Sequence, residues 1–175
     1  FAQFETTLAL LTEYLGLADR HNYFLFAYIG FILTLSQGML VRRLVPRLGE
    51  VFMSVAGTVL MTIGFVLVGI AGQQESVGML FAVVPFCVVG FSALNPSLQS
   101  LLSRRTDASM QGGVLGLGQS TSALARIFGP LIGLPLADKD VALPYWTSAV
   151  IMGVGVVLTL LLRAPAATPS AASPE

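Results

Sequence analysis

Long runs without a charged residue constrain this chain more than any other feature. Residues 51–74, between Glu50 and Glu75, contain no Asp, Glu, Lys or Arg, and the same holds for residues 22–41, 76–103 and 141–162. A helix needs about 20 apolar residues to cross about 30 Å of hydrocarbon. The composition agrees, because 55% of the residues are hydrophobic, 10% are charged and the mean hydropathy is +0.82. The sequence therefore predicts an all-α, polytopic membrane protein and excludes a nucleic-acid binder or a soluble enzyme.

The breaks between these runs predict six membrane-spanning helices. Polar or helix-breaking residues occur at 19–22, at Pro46 and Gly49, and at 72–76, 104–109 and 138–140. Because every connection is short, consecutive helices are expected to be antiparallel neighbours. The predicted spans are about 1–17, 23–43, 50–71, 77–103, 111–136 and 142–163. Residues 164–175 are rich in Ala, Pro, Ser and Thr and are expected to form a disordered tail.

Basic residues predict the orientation of the chain in the membrane. One set of alternate loops contains only Arg20 and Lys139, whereas the other set contains Arg42, Arg43, Arg47, Arg104, Arg105 and Arg163. Short loops rich in Lys and Arg stay in the cytoplasm. We therefore expect the first helix to run outward and the C-terminal tail to be cytoplasmic, in the inner or plasma membrane of the cell. The chain begins at Phe1 without a Met, and we interpret it as part of a longer protein.

Two acidic residues of the first predicted helix are candidates for function. Glu5 lies about 14 residues, or roughly 21 Å, before the outer end of that helix. If the helix extends further toward the N-terminus, Glu5 is near the middle of the membrane, where a carboxylate requires a polar cavity, a partner or a proton. The alternative is that Glu5 lies among the lipid headgroups. Glu13 is closer to the outer surface, where an interfacial position is the simpler interpretation, although it remains a candidate for a substrate cavity.

Arg126 is the basic counterpart of these residues. It follows the uncharged run 108–125 and lies about nine residues, or roughly 13 Å, from the outer end of the fifth helix. Because Arg keeps its charge, it needs a carboxylate, backbone carbonyls or water at this depth. Glu5 and Glu13 bracket its estimated depth. A structural ion pair and a role in proton or substrate coupling both stay open.

Neutral polar residues and glycines complete the set of candidates. Gln37, Asn95, Gln99 and Gln119 lie within or near the ends of spans, where such side chains usually bond a neighbouring helix. The sequence predicts that one or two of them contact a substrate, with Gln37, Asn95 and Gln119 as the candidates. Gly129, Pro130 and Gly133 predict a bend in the fifth helix, because Pro removes a helical hydrogen bond. Gly112 and Gly116 permit close approach of another helix.

No motif for covalent chemistry or cofactor binding was found. The sequence has no phosphate-binding GxxxxGK[ST] loop, no HExxH and no Cys/His cluster, and Cys87 is its single cysteine. We therefore expect neither an enzyme nor a cofactor nor a metal site.

Three segments resemble the C-terminal half of a major facilitator superfamily transporter, most like the drug:proton antiporter branch that includes tetracycline-efflux proteins. Residues 37–49, QGMLVRRLVPRLG, are similar to the second copy of the family's cytoplasmic loop motif, although Arg42 stands where the motif has Asp. Residues 95–105 resemble the cytoplasmic end of the tenth helix of the family. Gly116, Gly129, Pro130 and Gly133 are similar to the antiporter motif in its pseudo-symmetric position.

The resemblance covers residues 1–163 and implies a fold and a function. The implied fold is a six-helix half-bundle, paired with the missing N-terminal half of the same protein or with a second six-helix half. The implied function is proton-coupled efflux of a small organic compound by alternating access, with the first and fourth helices lining the cavity. Glu5 and Arg126 would couple protons, and Gly38, Arg42, Arg43 and Arg47 would belong to the gating loop. A metabolite symporter or uniporter, and a non-transporting subunit or channel, are the alternatives.

Overall fold

The computed structural model describes residues 1–161, and these residues are almost entirely helical. A π-helical segment, Ser36–Val41, joins two of the helices. No β-strand occurs within the described part of the chain. The α-helices are α1 Ala2–Tyr14, α2 Asp19–Leu35, α3 Arg42–Leu48, α4 Glu50–Gln73, α5 Val77–Arg104, α6 Gln111–Ala137 and α7 Leu143–Leu161. The predicted tail at 164–175, like Arg163, lies outside the described residues.

Several of these helices can cross a membrane. Within residues 1–161, the four helices α4 to α7 are long and apolar enough, and Arg20–Met39 with Arg42–Leu48 would add a fifth span bent by 46°. Helix α1 is not among them, because its 13 residues extend only about 20 Å. The chain is thus a multi-pass membrane protein with four or five candidate spans, and the count of six remains a prediction.

The first connection differs from the turn expected at residues 19–22. The N–H of Gly16 donates to the Glu13 carbonyl and that of Leu17 donates to the Thr12 carbonyl, at 2.9 and 3.0 Å. This pair of bonds is a Schellman motif, which needs a left-handed residue after the helix, and Gly16 has φ 71°. The chain therefore turns over residues 15–18, and the polar residues expected in the turn form the first turn of α2.

The second predicted helix, 23–43, is divided in three. Helix α2 passes into the π segment, and α3 then continues through Pro46 to Leu48. Gly49 separates α3 from α4 with φ 83°, a conformation that glycine adopts without a steric cost. The basic residues of the predicted gating loop therefore lie on a short helix.

Glycines bring α4 into close contact with α5. A Cβ added at Gly57 would lie 2.7 Å from the Gly90 carbonyl oxygen, and one at Gly90 would lie 2.7 Å from that of Gly57. About two turns of α4 beyond Gly57, a Cβ at Gly64 would lie 2.6 Å from Cys87 Sγ. In lipid, helices associate mainly through such van der Waals packing, because lipid tails are as apolar as the side chains. The α4–α5 pair is accordingly the tightest part of the bundle.

Aromatic and aliphatic side chains of α1, α2, α4, α5 and α7 form the centre of the bundle. The ring of Phe4 lies 5.8 Å from that of Phe65 and 6.3 Å from that of Tyr145. Leu8 and Leu11 of α1 are fully buried in the same cluster. This packing holds the short helix α1 against the longer helices.

Polar bonds also connect helices that are distant in sequence. Arg104 Nη2 lies 3.0 Å from Glu50 Oε1, which also accepts a bond from Ser100 Oγ at 3.1 Å. At the opposite end of α4, Tyr14 Oη donates to Glu75 Oε1 at 3.1 Å. Together these bonds join α4 to α5 at one end, and join α1 to the connection between α4 and α5 at the other.

Helix α6 lies at the edge of the bundle. Gly133 and Ala137 are its buried residues, and a Cβ added at Gly112, Gly113 or Gly116 would meet no atom within 4 Å. The close packing expected at Gly112 and Gly116 is therefore not made within the described chain. Because α6 contacts the bundle mainly near one end, space is left between α6 and α5.

Candidate functional site: a polar cleft at the edge of the bundle

Three adjoining cavities form a cleft between α1, the π segment, α5 and α6. The first, of about 290 Å³, includes Glu5, Asn95 and Arg126 in its lining. The second, of about 350 Å³, extends along α5 and α6 and includes Asn95, Gln119 and Ser122. The third, of about 270 Å³, includes Gln37, Asn95 and Gln99. Asn95 lines all three, and we call their combined lining the polar cleft.

The first cavity brings together the two charged residues that the sequence singles out. Glu5 lies on α1 and Arg126 on α6, one turn before Gly129. A Cβ at Gly129 would lie 3.0 Å from the Gln3 backbone nitrogen, so the absence of a side chain lets α6 approach α1 at this level. No ion pair within 4.0 Å joins Glu5 to Arg126 in this part of the chain. The two charges face one cavity without direct contact.

An aromatic pair forms the apolar wall of the same cavity. The rings of Phe1 and Phe91 are stacked, with their centroids 3.9 Å apart and their planes inclined by 10°. Both residues line the cavity together with Glu5 and Arg126. The cavity therefore offers a flat apolar surface beside two opposite charges, which suits an organic molecule with both apolar and polar parts.

Asn95 and Gln99 form the polar surface of α5. Gln99 Nε2 donates to Asn95 Oδ1 at 3.3 Å, as residues four apart on a helix can do. Across the cleft lies α6, where Ser122 lines both the first and the second cavity. Ser122 Oγ donates to the Gly118 carbonyl at 3.0 Å, so its lone pairs remain for a further bond.

The structure places some of the predicted substrate-cavity residues in the polar cleft and leaves another outside it. Gln37 shares the third cavity with Asn95, and Gln119 shares the second with it. Glu13 is exposed near the end of α1 and is not among the residues that line these three cavities.

The predicted helix bend and gating loop also have defined positions. Helix α6 continues through Pro130, while Gly133 packs against α1: a Cβ there would lie 2.5 Å from Gln3 Cγ. Gly38 lies in the π segment and Arg42, Arg43 and Arg47 lie on α3, all of them exposed.

Sequence reasoning missed several residues of the cleft, among them Ser122 and Phe91. Ser122 precedes Arg126 by four positions, and that helical spacing was the available signal. Phe91 precedes Asn95 by the same interval on α5. Neither residue is unusual in a membrane helix, so the spacing becomes informative only once Arg126 and Asn95 are known to face one cavity.

Together, the apolar helices and the polar cleft define a multi-pass membrane protein with a site suited to a small molecule. No family model matches the chain. It is 33% identical over 78 residues to multidrug resistance protein 1 of Bacillus subtilis (strain 168), covering 45% of this chain and 20% of that protein. It is 26% identical over 161 residues to multidrug resistance protein 2 of the same organism, covering 91% of this chain and 39% of that protein.

A human protein is also similar. Solute carrier family 67 member A1 is 27% identical over 143 residues, which cover 81% of this chain and 32% of that protein. The chain thus spans less than half the length of each of these relatives. Their names support, at a coarse level, a membrane transporter.

Proposed function

We propose that this chain forms one half of a twelve-helix major facilitator transporter that exports small organic compounds in exchange for protons. The observation that carries the proposal is the first cavity of the polar cleft, where Glu5, Arg126 and Asn95 meet beside the Phe1–Phe91 pair. The similarity to two multidrug resistance proteins supports drug-like compounds as the substrate class. The other half would come from the rest of the same protein or from a second six-helix half, and would cover the cleft.

Proton coupling follows from the chemistry of Glu5 and Arg126. Removal from water disfavours a charged carboxylate, whereas a nearby guanidinium favours it. While α1 and α6 are close, Arg126 would hold Glu5 ionised. When the inclination of α6 changes during rocking and separates the two residues, Glu5 would take up a proton. Alternating access would then expose Glu5 to one side of the membrane at a time, so that each cycle exchanges a proton for substrate.

Neutralising Glu5 tests this mechanism. The native protein that contains this chain would be reconstituted in liposomes, with a pH gradient imposed and ethidium as a lipophilic probe. We expect Glu5→Gln to retain ethidium binding and exchange at equal concentrations but to lose accumulation driven by the gradient. Glu13→Gln is the matched control, since it removes the same charge from the same helix outside the cleft, and it should accumulate ethidium normally.

Two other results would decide against the proposal. If Glu5→Gln still accumulates ethidium, the carboxylate is structural and coupling resides elsewhere in the protein. If the unaltered protein transports solute without any response to the pH gradient, a uniporter is the better description. The similarity to a solute carrier makes symport or uniport of a metabolite the second candidate, and reversing the gradient distinguishes symport from antiport.

The gating loop and the helix bend remain part of this proposal. Gly38, Arg42, Arg43 and Arg47 would contact the other half when the transporter closes toward the cytoplasm. Gly129, Pro130 and Gly133 would allow α6 to change its inclination relative to α1, because Pro130 leaves one helical hydrogen bond unmade.

A further inference from the structure

A surface groove beside the π segment combines apolar and cationic residues. It has a volume of about 440 Å³ and is lined by Leu35, Ser36, Met39, Arg43, Leu44 and Arg47. The groove runs from the end of α2 to α3, where the two parts of the helix are inclined by 46°. It shares no lining residue with the polar cleft, although Gln37 and Val41 of the same π segment line the third cavity of that cleft.

The groove changes character along its length in a regular way. Leu35, Met39, Arg43 and Arg47 follow one another at intervals of four residues, so a single stripe passes from apolar to basic. Leu35 is 41% exposed and Met39 is 53% exposed, although both are large and apolar. A π-helical insertion of this kind often marks a functional site. The stripe therefore presents an apolar surface and a cationic surface to one elongated ligand.

Arg43 and Arg47 have no acidic partner in the described part of the chain. The nearest acidic residue in sequence, Glu50, is bound by Arg104 and Ser100 instead. Two guanidinium groups beside one groove provide the fixed donor geometry that suits a phosphate. Because the apolar half of the groove belongs to a membrane protein, the matching anion is one that carries hydrocarbon chains.

We propose that this groove binds an anionic phospholipid. Its acyl chain would lie against Leu35, Met39 and Leu44, and its phosphate would be bound by Arg43 and Arg47. Basic pockets at the membrane surface bind acidic headgroups in this way. The proposal does not depend on which compound the protein transports, since the groove shares no lining residue with the polar cleft. The lipid would occupy Arg43 and Arg47 while the cytoplasmic side is open, when these residues do not contact the other half.

Lipid titration of the native protein tests the proposal. The protein would be purified in detergent and titrated with phosphatidylglycerol, phosphatidylcholine or soluble glycerol phosphate, with retained lipid measured by native mass spectrometry. We expect phosphatidylglycerol to bind more tightly than the other two. Arg43→Gln and Arg47→Gln should each weaken its binding about fivefold, and Met39→Ser should weaken binding of long-chain more than of short-chain phosphatidylglycerol.

Arg42→Gln is the matched control, because Arg42 lies on the same helix and carries the same charge but does not line the groove. It should leave the affinity within twofold. Equal losses for Arg42→Gln and Arg43→Gln would overturn the proposal in favour of unspecific attraction to a basic surface. Equal binding of phosphatidylglycerol and phosphatidylcholine, or equal binding of glycerol phosphate and the lipid, would overturn it as well.

Discussion

A substitution at Gly90 tests the packing that holds the bundle together. In Gly90→Ala the new methyl group would lie 2.7 Å from the Gly57 carbonyl oxygen and 2.8 Å from the Met61 backbone nitrogen. Both are backbone atoms, so no side-chain rotation can relieve the contact and α4 and α5 must move apart. Overpacking of this kind costs about 1–3 kcal/mol. Ala is favoured over Gly inside a helix by roughly 0.5–1 kcal/mol, which offsets part of the cost.

The expected result is a net loss of about 0–2.5 kcal/mol, centred on about 1 kcal/mol, in the free energy of unfolding. Unfolding of the native protein would be followed by SDS titration in mixed micelles. Gly153→Ala is the control, because a Cβ at Gly153 on α7 meets no atom within 4 Å. It should leave stability unchanged or raise it by up to about 1 kcal/mol. The double variant Gly57→Ala/Gly90→Ala should lose less than the sum of the two single losses, since both separate the same helices. If Gly90→Ala is as stable as Gly153→Ala, the α4–α5 contact described above is wrong.

Two further predictions concern topology and the contact between α1 and α6. Single cysteines placed at His21 and Gln74 should react with an impermeant maleimide added outside intact cells, and one at Thr106 should not; the reverse pattern would refute the orientation. Gly133→Ala should destabilise the protein because its methyl group would meet Gln3 Cγ at 2.5 Å. In the double variant, Gln3→Ala should relieve part of that loss, and a double-mutant cycle measures this coupling. Additive losses would mean that Gly133 has another role.

The uncharged runs in the sequence were sufficient to predict the longer helices, because the ends of these helices are determined by residues close by in the sequence. Helix α5 begins after Ser76, whose Oγ accepts the Met79 N–H at 3.3 Å. Helix α7 follows Asp140, whose Oδ1 accepts the Ala142 N–H at 2.8 Å. Such turns depend on residues a few positions apart, so hydropathy and turn residues predict them. The end of α1 was harder, since Gly16 precedes the more conspicuous polar residues and its left-handed conformation determines the turn.

The functions of the individual glycines could not be read from the sequence in the same way. Gly112 and Gly116 have the spacing of a packing motif, but α6 lies at the edge of the bundle and leaves both uncovered. Gly57 and Gly90 have no such motif and yet bring the backbones of two helices into close contact. A missing side chain allows another backbone to approach, but which backbone approaches depends on the whole arrangement.

The candidate site was only partly predictable for a related reason. Depth along a helix follows from residue number, so the depth of Arg126 could be estimated to lie between those of Glu5 and Glu13. The direction in which a side chain faces depends on the neighbours of its helix. For this reason the sequence did not show that Asn95 lines all three cavities while Glu13 lines none of them. The π segment was not predictable, because nothing in residues 36–41 distinguishes it from α-helix.

The distribution of close contacts bears directly on the proposed mechanism. Helices α4, α5 and α7 are joined through glycines at Gly57, Gly69 and Gly155, where an added Cβ would meet another helix within 3.3 Å. The two charged residues of the first cavity are not on these three helices. Glu5 is on α1, and Arg126 is on α6, an edge helix that meets α1 near Gly129 and Gly133. A change in the inclination of α6 would therefore alter the distance between Glu5 and Arg126 without disturbing the α4–α5 contact. Under the proposed function, the protonation of Glu5 would respond to a movement of α6 within this half while the centre of the half stays rigid, and this local movement would accompany the rocking of the two halves.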